Sequence, residues 1–561
     1  MGEIQHNDSK MRSSSGPQEL LALEQQAHEP SENGLGFSVE KAKDAAQGLS
    51  FGKMFHSLLE ALKPEILTRR RHATRRPLSP TAWLDGLRGW AAFIVCIVHL
   101  SVYTHSDIEY CYAQDLPEDG SAPKFTPASW PFVRIWFSGG HAAVMLFYTI
   151  SGYVLTKKMI SLLHEGRRDD FVEAVNSAIV RRPLRLYYPV LVSTLCFGAS
   201  WHIFNIHVPW PPRQSNIFME FGSWLAETLR FTFIFRNGFL FHMYNIHTWT
   251  IPVELRGSFL VYVWLFAMHR VSHRLRILLT AAIVVHMVFF NYGSWYACFF
   301  SGMLTVELDL LASSDSTVDV KLPWDGIMKA LKRRPVLRQI LLHAMLAFGL
   351  HLAGEPSSDW KKKDEILGDC PGWRTLSTLI PPAYDDGPGN QNHRWFWLFW
   401  CAWFLVISIK EIGWARRLFE TNFSQCKYIA AAAAAAATWA LSRLTTCVLD
   451  LGKHSFALYL VHGPMIGILS ERLFYLVGLK QALSDVEIQN FGHLANKWRD
   501  ASWWPFSPGG TPGFEPNFLV CVAISVPVFL YVAELGTKFF DAPSVHFARW
   551  AYNKMKVPSS K

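Results

Sequence analysis

From about residue 80 onward the chain alternates long apolar runs with short polar breaks, and most of the breaks carry arginine or lysine. A helix needs about 20 mostly apolar residues to cross a bilayer, and by that measure the chain holds about ten such runs. They centre on 86–104, 132–155, 189–208, 248–268, 275–292, 294–312, 338–354, 395–410, 454–477 and 516–537. The pattern predicts an all-α fold, a polytopic transmembrane helical bundle of about ten spans. One segment fits less well. Ala430–Ala437 is a run of eight alanines. Alanine is only marginally apolar, so 428–446 reads either as an eleventh span or as a cytosolic or interfacial helix. We take the second reading, because an extra span would reverse the orientation of everything after it.

The basic residues orient this pattern. Arg69, Arg70, Arg71, Arg75 and Arg76 precede the first run, and Lys332, Arg333 and Arg334 precede a later one. Excess positive charge marks cytosolic loops, which places the N-terminus in the cytosol and the acidic loop 105–131 on the opposite side. The next loop carries Lys157, Lys158, Arg167, Arg168, Arg181, Arg182 and Arg185, and a later one His269, Arg270, His273, Arg274 and Arg276. Both are predicted to be cytosolic, so bias and alternation agree. With ten spans both termini are cytosolic. Which membrane holds the protein, plasma membrane or endomembrane, is not encoded in this pattern.

Composition adds to the membrane reading. Charged residues make up 18% of the 561 and hydrophobic residues 50%, against about 25% charged in a soluble protein. The net charge of +9 sits beside apolar runs rather than in a nucleic-acid-binding module, so topology and attraction to the lipid bilayer account for it and a nucleic-acid partner is excluded. Residues 1–78 are polar, lack the apolar core of a signal peptide, and read as a disordered cytosolic tail. Residues 79–545 form the membrane domain, and 546–561 a short cytosolic tail. The nine cysteines show no metal-ligand spacing, and no metal is expected. Cys111 and Cys370 both fall in external loops, where a disulfide or two unpaired thiols are equally compatible with the sequence.

Four segments bring ionisable groups to or into the apolar runs. In Leu84–His99, Arg88 and His99 are eleven residues apart, which is three helical turns plus about 20°, so they share one face with a rise of about 16 Å. That places Arg88 near the cytosolic interface and His99 near the bilayer midplane. Arg88 alone would be a topology anchor and His99 alone a bonded core histidine, but an ionisable group at membrane depth is a functional candidate. Histidine titrates near neutrality and can take the proton of an attacking hydroxyl. In Arg181–Pro189, Arg182 and Arg185 are neighbours on one helix face ahead of the third run. Paired guanidiniums match phosphate oxygens, although positive-inside bias alone would also place them there. In Trp249–Ser258, Thr250 is expected to cap a helix that has Pro252 in its first turn. There Glu254 is either an acceptor-orienting group or half of an internal ion pair. In Gly452–Pro464, His462 precedes a Gly-Pro step and is either structural or a second catalytic or acceptor-positioning group.

These segments, in this order, resemble the acyltransferase family 3 of integral membrane acyltransferases, especially its fungal branch. Phe147–Leu155 and Gly302–Leu310 extend the resemblance, which covers roughly 80–545. The resemblance implies an enzyme that moves an acyl group from acyl-CoA, as co-substrate rather than bound cofactor, to a hydroxyl-bearing acceptor such as a carbohydrate, lipid or secondary metabolite. It implies that His99 is the catalytic base, that Arg88 pairs with it in an Arg-x10-His element, that Arg182 and Arg185 engage the donor, and that Glu254 is the acidic position of a later helix. A proton-coupled transporter would also use intramembrane histidine and glutamate, but no internal repeat of the kind many transporters carry is visible.

Overall fold

The computed structural model describes residues 80–112, 125–206, 208, 211–235, 240–313, 318–356, 363–368, 370–385, 392–420, 451–480, 504–506 and 509–556, together with Glu60 and 62–64. The alanine run Ala430–Ala437 and most of the 1–78 tail lie outside these residues. The chain divides into two units, Met1–Ala82 and Trp83–Lys561. The described part of the first is short, with Lys63 and Glu60 forming an ion pair there.

The second unit is built from helices, and no named strand occurs among the described residues; the β-type pairing recorded there is an isolated bridge between His242 and Asn245. The principal helices are α1 (Ala82–Val102), α2 (Gly140–His164), α3 (Arg168–Ile203), α4 (Ile217–Thr232), α5 (Thr250–Met268), α6 (His273–Phe289), α7 (Ser294–Ala312), α8 (Pro335–Leu352), α9 (Arg394–Glu411), α10 (Gly413–Glu420), α11 (Leu451–Met465), α12 (Pro516–Gly536) and α13 (Ala542–Met555). The protein is a helical membrane protein. Among the described residues five helical stretches are long and apolar enough to cross a bilayer: Ala82–Val102, Ile246–Met268, Ser294–Ala312, Pro335–Leu352 and Pro516–Met555. Helices α9 and α10, bent by 96° at their junction, would make a sixth.

Two large apolar clusters form most of the core. One packs α2, α6, α7, α8 and α9 together, and the other packs α1, α3, α5, α11 and α12. Lipid tails are as apolar as leucine, so helices in a membrane gain most where small residues let backbones touch. Two such contacts hold the bundle. A Cβ on Gly152 of α2 would stand 2.1 Å from the Phe299 carbonyl oxygen of α7, and one on Gly302 of α7 would stand 2.1 Å from the Thr149 oxygen of α2. Likewise Gly89 of α1 meets the Gly452 backbone nitrogen of α11, where a Cβ would be 2.6 Å away. The second contact brings the Arg88–His99 helix against the His462 helix.

Three local features add to the sequence reading. Arg182 and Arg185 lie inside α3, one helix of 36 residues that runs on into the third apolar run, with Pro183 and Pro189 in its interior. Each proline deletes a hydrogen bond to the carbonyl four residues before it. Residues 546–555, read as the start of a tail, continue as helix α13, where Phe547 meets Tyr188 of α3 with ring centroids 5.6 Å apart. Cys111 and Cys370, left open by the sequence, form a disulfide with Cα atoms 5.7 Å apart.

Candidate active site

Five elements supply charge to one cavity of about 220 Å³. Helix α1 contributes Arg88, α3 contributes Arg182 and Arg185, α5 contributes Glu254, and α11 contributes Lys453. Asp541 comes from a π-helical turn, Thr537–Asp541, that joins α12 to α13. Tyr148, Phe147, Phe456 and Tyr459 supply aromatic wall. The inner guanidinium is the most constrained: Arg182 ion-pairs with Glu254, and its Nε donates to Ser258 Oγ at 3.0 Å. Ser151 lines the same cavity. Glu254 is therefore half of an internal ion pair, the second of the two roles its sequence setting allowed. Arg185 and Lys453 remain exposed.

Tyr459 lines this cavity and also touches a histidine cluster. Its hydroxyl donates to the His247 carbonyl oxygen and lies 2.7 Å from Thr250 Oγ1. A phenol has one proton, so the Thr250 hydroxyl is the donor in the second bond. Thr250 thus braces Tyr459 and makes no helix cap; α5 starts with no side-chain cap, and Pro252 stands in its first turn as expected. One turn beyond Tyr459 on α11 is His462, with ring centroids 5.7 Å apart.

His462 and His99 come together: His462 Nε2 lies 3.2 Å from His99 Nδ1. His99 Nδ1 is also 2.9 Å from the Val95 carbonyl oxygen, and His462 Nδ1 is 3.3 Å from that of Leu458. A ring nitrogen facing a carbonyl carries hydrogen. His462 is then protonated on Nδ1 and accepts at Nε2, His99 Nδ1–H is shared between Val95 and His462, and His99 Nε2 keeps its lone pair. This tautomer assignment follows from partners. His99 is half-buried and His462 fully buried. His99 stands in the last turn of α1 rather than at its middle. Arg88, Arg182, Arg185 and Glu254 share the cavity, whereas His99 and His462 are not part of its lining; Tyr459 is the contact between the two.

His247 completes the cluster, with its ring 4.0 Å from that of His99 and 4.8 Å from that of His462. Sequence reasoning missed it because it lies in the 3₁₀ turn Ile246–Trp249, ahead of the helix where the search for periodic faces began. Its position two residues before Trp249 was the available signal. Tyr459 was missed too, although it stands three residues before His462 on the same face. One nitrogen from each of the three histidines lies within 4.8 Å of the other two, a spacing a metal ion could share.

The sequence comparisons decide the family. An acyltransferase-domain family model matches residues 81–533, most of the chain. The chain belongs to this acyltransferase family. The acyltransferase is similar to the O-acetyltransferase PaAT-1 of Phomopsis amygdali, 26% identical over 533 residues, covering 89% of each chain. It is also similar to acyltransferase R4 of a Phoma species, 24% identical over 69% of this chain and 83% of the relative. Acyltransferase clz18 of Cochliobolus lunatus is 21% identical, with 68% of this chain and 82% of the relative covered. No solved structure matches the acyltransferase.

Proposed function

We propose that this acyltransferase takes its acyl group from acyl-CoA at the arginine-lined cavity and delivers it to an acceptor hydroxyl activated by His99. The observation that carries the reading is the cavity itself. Three guanidiniums and an ammonium surround one volume whose Tyr459 wall touches the histidine cluster. Guanidiniums recognise phosphate through paired N–H groups, and the CoA moiety presents phosphates. The relative PaAT-1 is named an O-acetyltransferase, which supports an oxygen acceptor and makes acetyl-CoA the first donor to try.

In the transfer, the acceptor O–H proton passes to His99 Nε2 as the oxygen attacks the thioester carbonyl carbon. The C–S bond then breaks, and the thiolate takes that proton from His99. Ester and CoA thiol are the products, and no proton is gained or lost overall. His462 acts through His99: by accepting Nδ1–H it holds the reactive tautomer and favours the imidazolium once formed. Arg88, Arg182 and Arg185 hold the donor, with Glu254 fixing Arg182. The arginine bias places the cavity on the cytosolic side in a bundle of about ten spans with a cytosolic N-terminus. The acceptor then approaches the last turn of α1 from the other face or from the bilayer.

The test uses purified full-length protein, radiolabelled acetyl-CoA and an extract containing hydroxyl-bearing small molecules and lipids. His99→Ala is expected to fold normally and to lose about 10²–10⁴-fold in transfer, the usual contribution of a general base. Ordinary turnover by His99→Ala would remove His99 from the mechanism.

A further inference from the structure

An anion-binding cavity should not carry spare negative charge, yet this one holds two carboxylates. Glu254 is accounted for by its ion pair with Arg182. Asp541 is not. It lines the same cavity as Arg88, Arg185 and Lys453, within the field of Arg185 and Arg88. It is presented by the π-helical turn Thr537–Asp541, one of the single-turn insertions that often mark functional positions in helices. The cavity's four cationic side chains against two carboxylates leave a surplus of two positive charges. Asp541 therefore removes a third of the attraction that the cavity would otherwise offer a polyanion.

We propose that Asp541 is a negative charge placed in the cavity with Arg88 and Arg185 that a donor phosphate must bind against, and that it thereby sets donor affinity and speeds release of spent CoA. The inference rests on the donor reading of the same cavity. In the empty cavity the Asp541 carboxylate offsets part of the charge of these guanidiniums across the cavity, without a direct ion pair among the described residues. A phosphate arrives with more negative charge and more acceptor oxygens, takes over Arg88 and Arg185, and leaves Asp541 facing an anion. That repulsion persists while the nucleotide is bound, so product leaves readily. Arg182 differs. Ser258 and Glu254 already hold two of its nitrogens, so it offers the donor only its remaining N–H groups, while the exchangeable phosphate contacts fall mainly on Arg88, Arg185 and Lys453.

The experiment measures equilibrium binding of CoA and acetyl-CoA to the detergent-purified full chain. Asp541→Asn is expected to tighten CoA binding on the order of tenfold, the size of one charge-assisted contact. Asp541→Glu, which keeps the charge, is expected to bind as the wild type does. Under turnover Asp541→Asn should lower the donor KM and lower kcat, because release of CoA slows. Asp541→Ser repeats the neutral substitution with a smaller side chain in case the asparagine variant is not monodisperse. Unchanged or weaker CoA binding by both neutral variants, with wild-type binding intact, would show that Asp541 only props the turn and would overturn the inference alone. Absence of CoA binding by the wild type would remove the donor reading itself, and the inference with it. A structural role predicts loss of affinity on neutralisation, so a gain cannot be mistaken for it.

Discussion

Two arginine–glutamate pairs cross between helices in the interior of this bundle, and they behave as opposites. Arg276 of α6 and Glu307 of α7 are sealed, with side chains 1% exposed, and His164 and His273 crowd the same spot. Arg182 of α3 and Glu254 of α5 use the same chemistry but open onto the cavity beside Arg88, Arg185 and Asp541. Residue type does not separate them. What separates them is free volume on one side of the guanidinium. A sealed pair serves only itself and its half-buried histidine neighbours, and its desolvation cost is recovered by that geometry. A pair on a cavity wall keeps a face that a ligand can use.

Mutation should expose that difference, most strongly at the sealed pair. Arg276→Ala or Glu307→Ala leaves a buried charge without its partner, a loss of about 3–5 kcal/mol. Little monodisperse protein should survive size-exclusion chromatography; wild-type yield from either variant would show that the pair is not sealed. Replacing both, Arg276→Met with Glu307→Leu, should restore folding, since apolar residues of similar volume replace buried pairs at little cost. The same double exchange at the cavity, Arg182→Met with Glu254→Leu, should fold but lose measurable CoA binding. If it kept donor affinity, the contrast between the two pairs would fail. Arg185→Ala is milder: because Arg185 is exposed, stability should hold while the donor KM rises on the order of tenfold, one charge-assisted contact. Smallest is Ser258→Ala, which removes one hydrogen bond to Arg182 and should raise the donor KM by only about two- to fivefold; an effect as large as that of Arg185→Ala would mean that Ser258 meets the substrate directly.

Periodicity explains how much of this was legible beforehand. Arg88 and His99 could be placed on one face because α1 is an uninterrupted helix, and collinear motifs pointed to the family that the matched residues 81–533 then showed. Partners across helices were not legible: nothing in Trp249–Ser258 says that Glu254 meets Arg182, and nothing near His99 says that His247 lies against it. Two of the missed groups sit where the helical period breaks, His247 in a 3₁₀ turn and Asp541 in a π turn, whereas Tyr459 lies in regular helix. Span counting suffered from the same limit. The long α3 carries arginines and prolines between Arg168 and Pro189, so hydropathy marks only part of it, whereas the stretch that begins at Pro516 passes easily. His99 was put at mid-membrane from its distance to Arg88, without knowledge that α1 ends at Val102.

The Cys111–Cys370 bond joins residues 259 positions apart, one following the first helix and the other well past the middle of the chain. It cannot close until ribosomes have made most of the intervening helices and those helices have threaded and docked. The bond is therefore a late record of assembly: a chain with both thiols still free is an immature one, and a cell that retains such chains has a means of inspecting the bundle before releasing it.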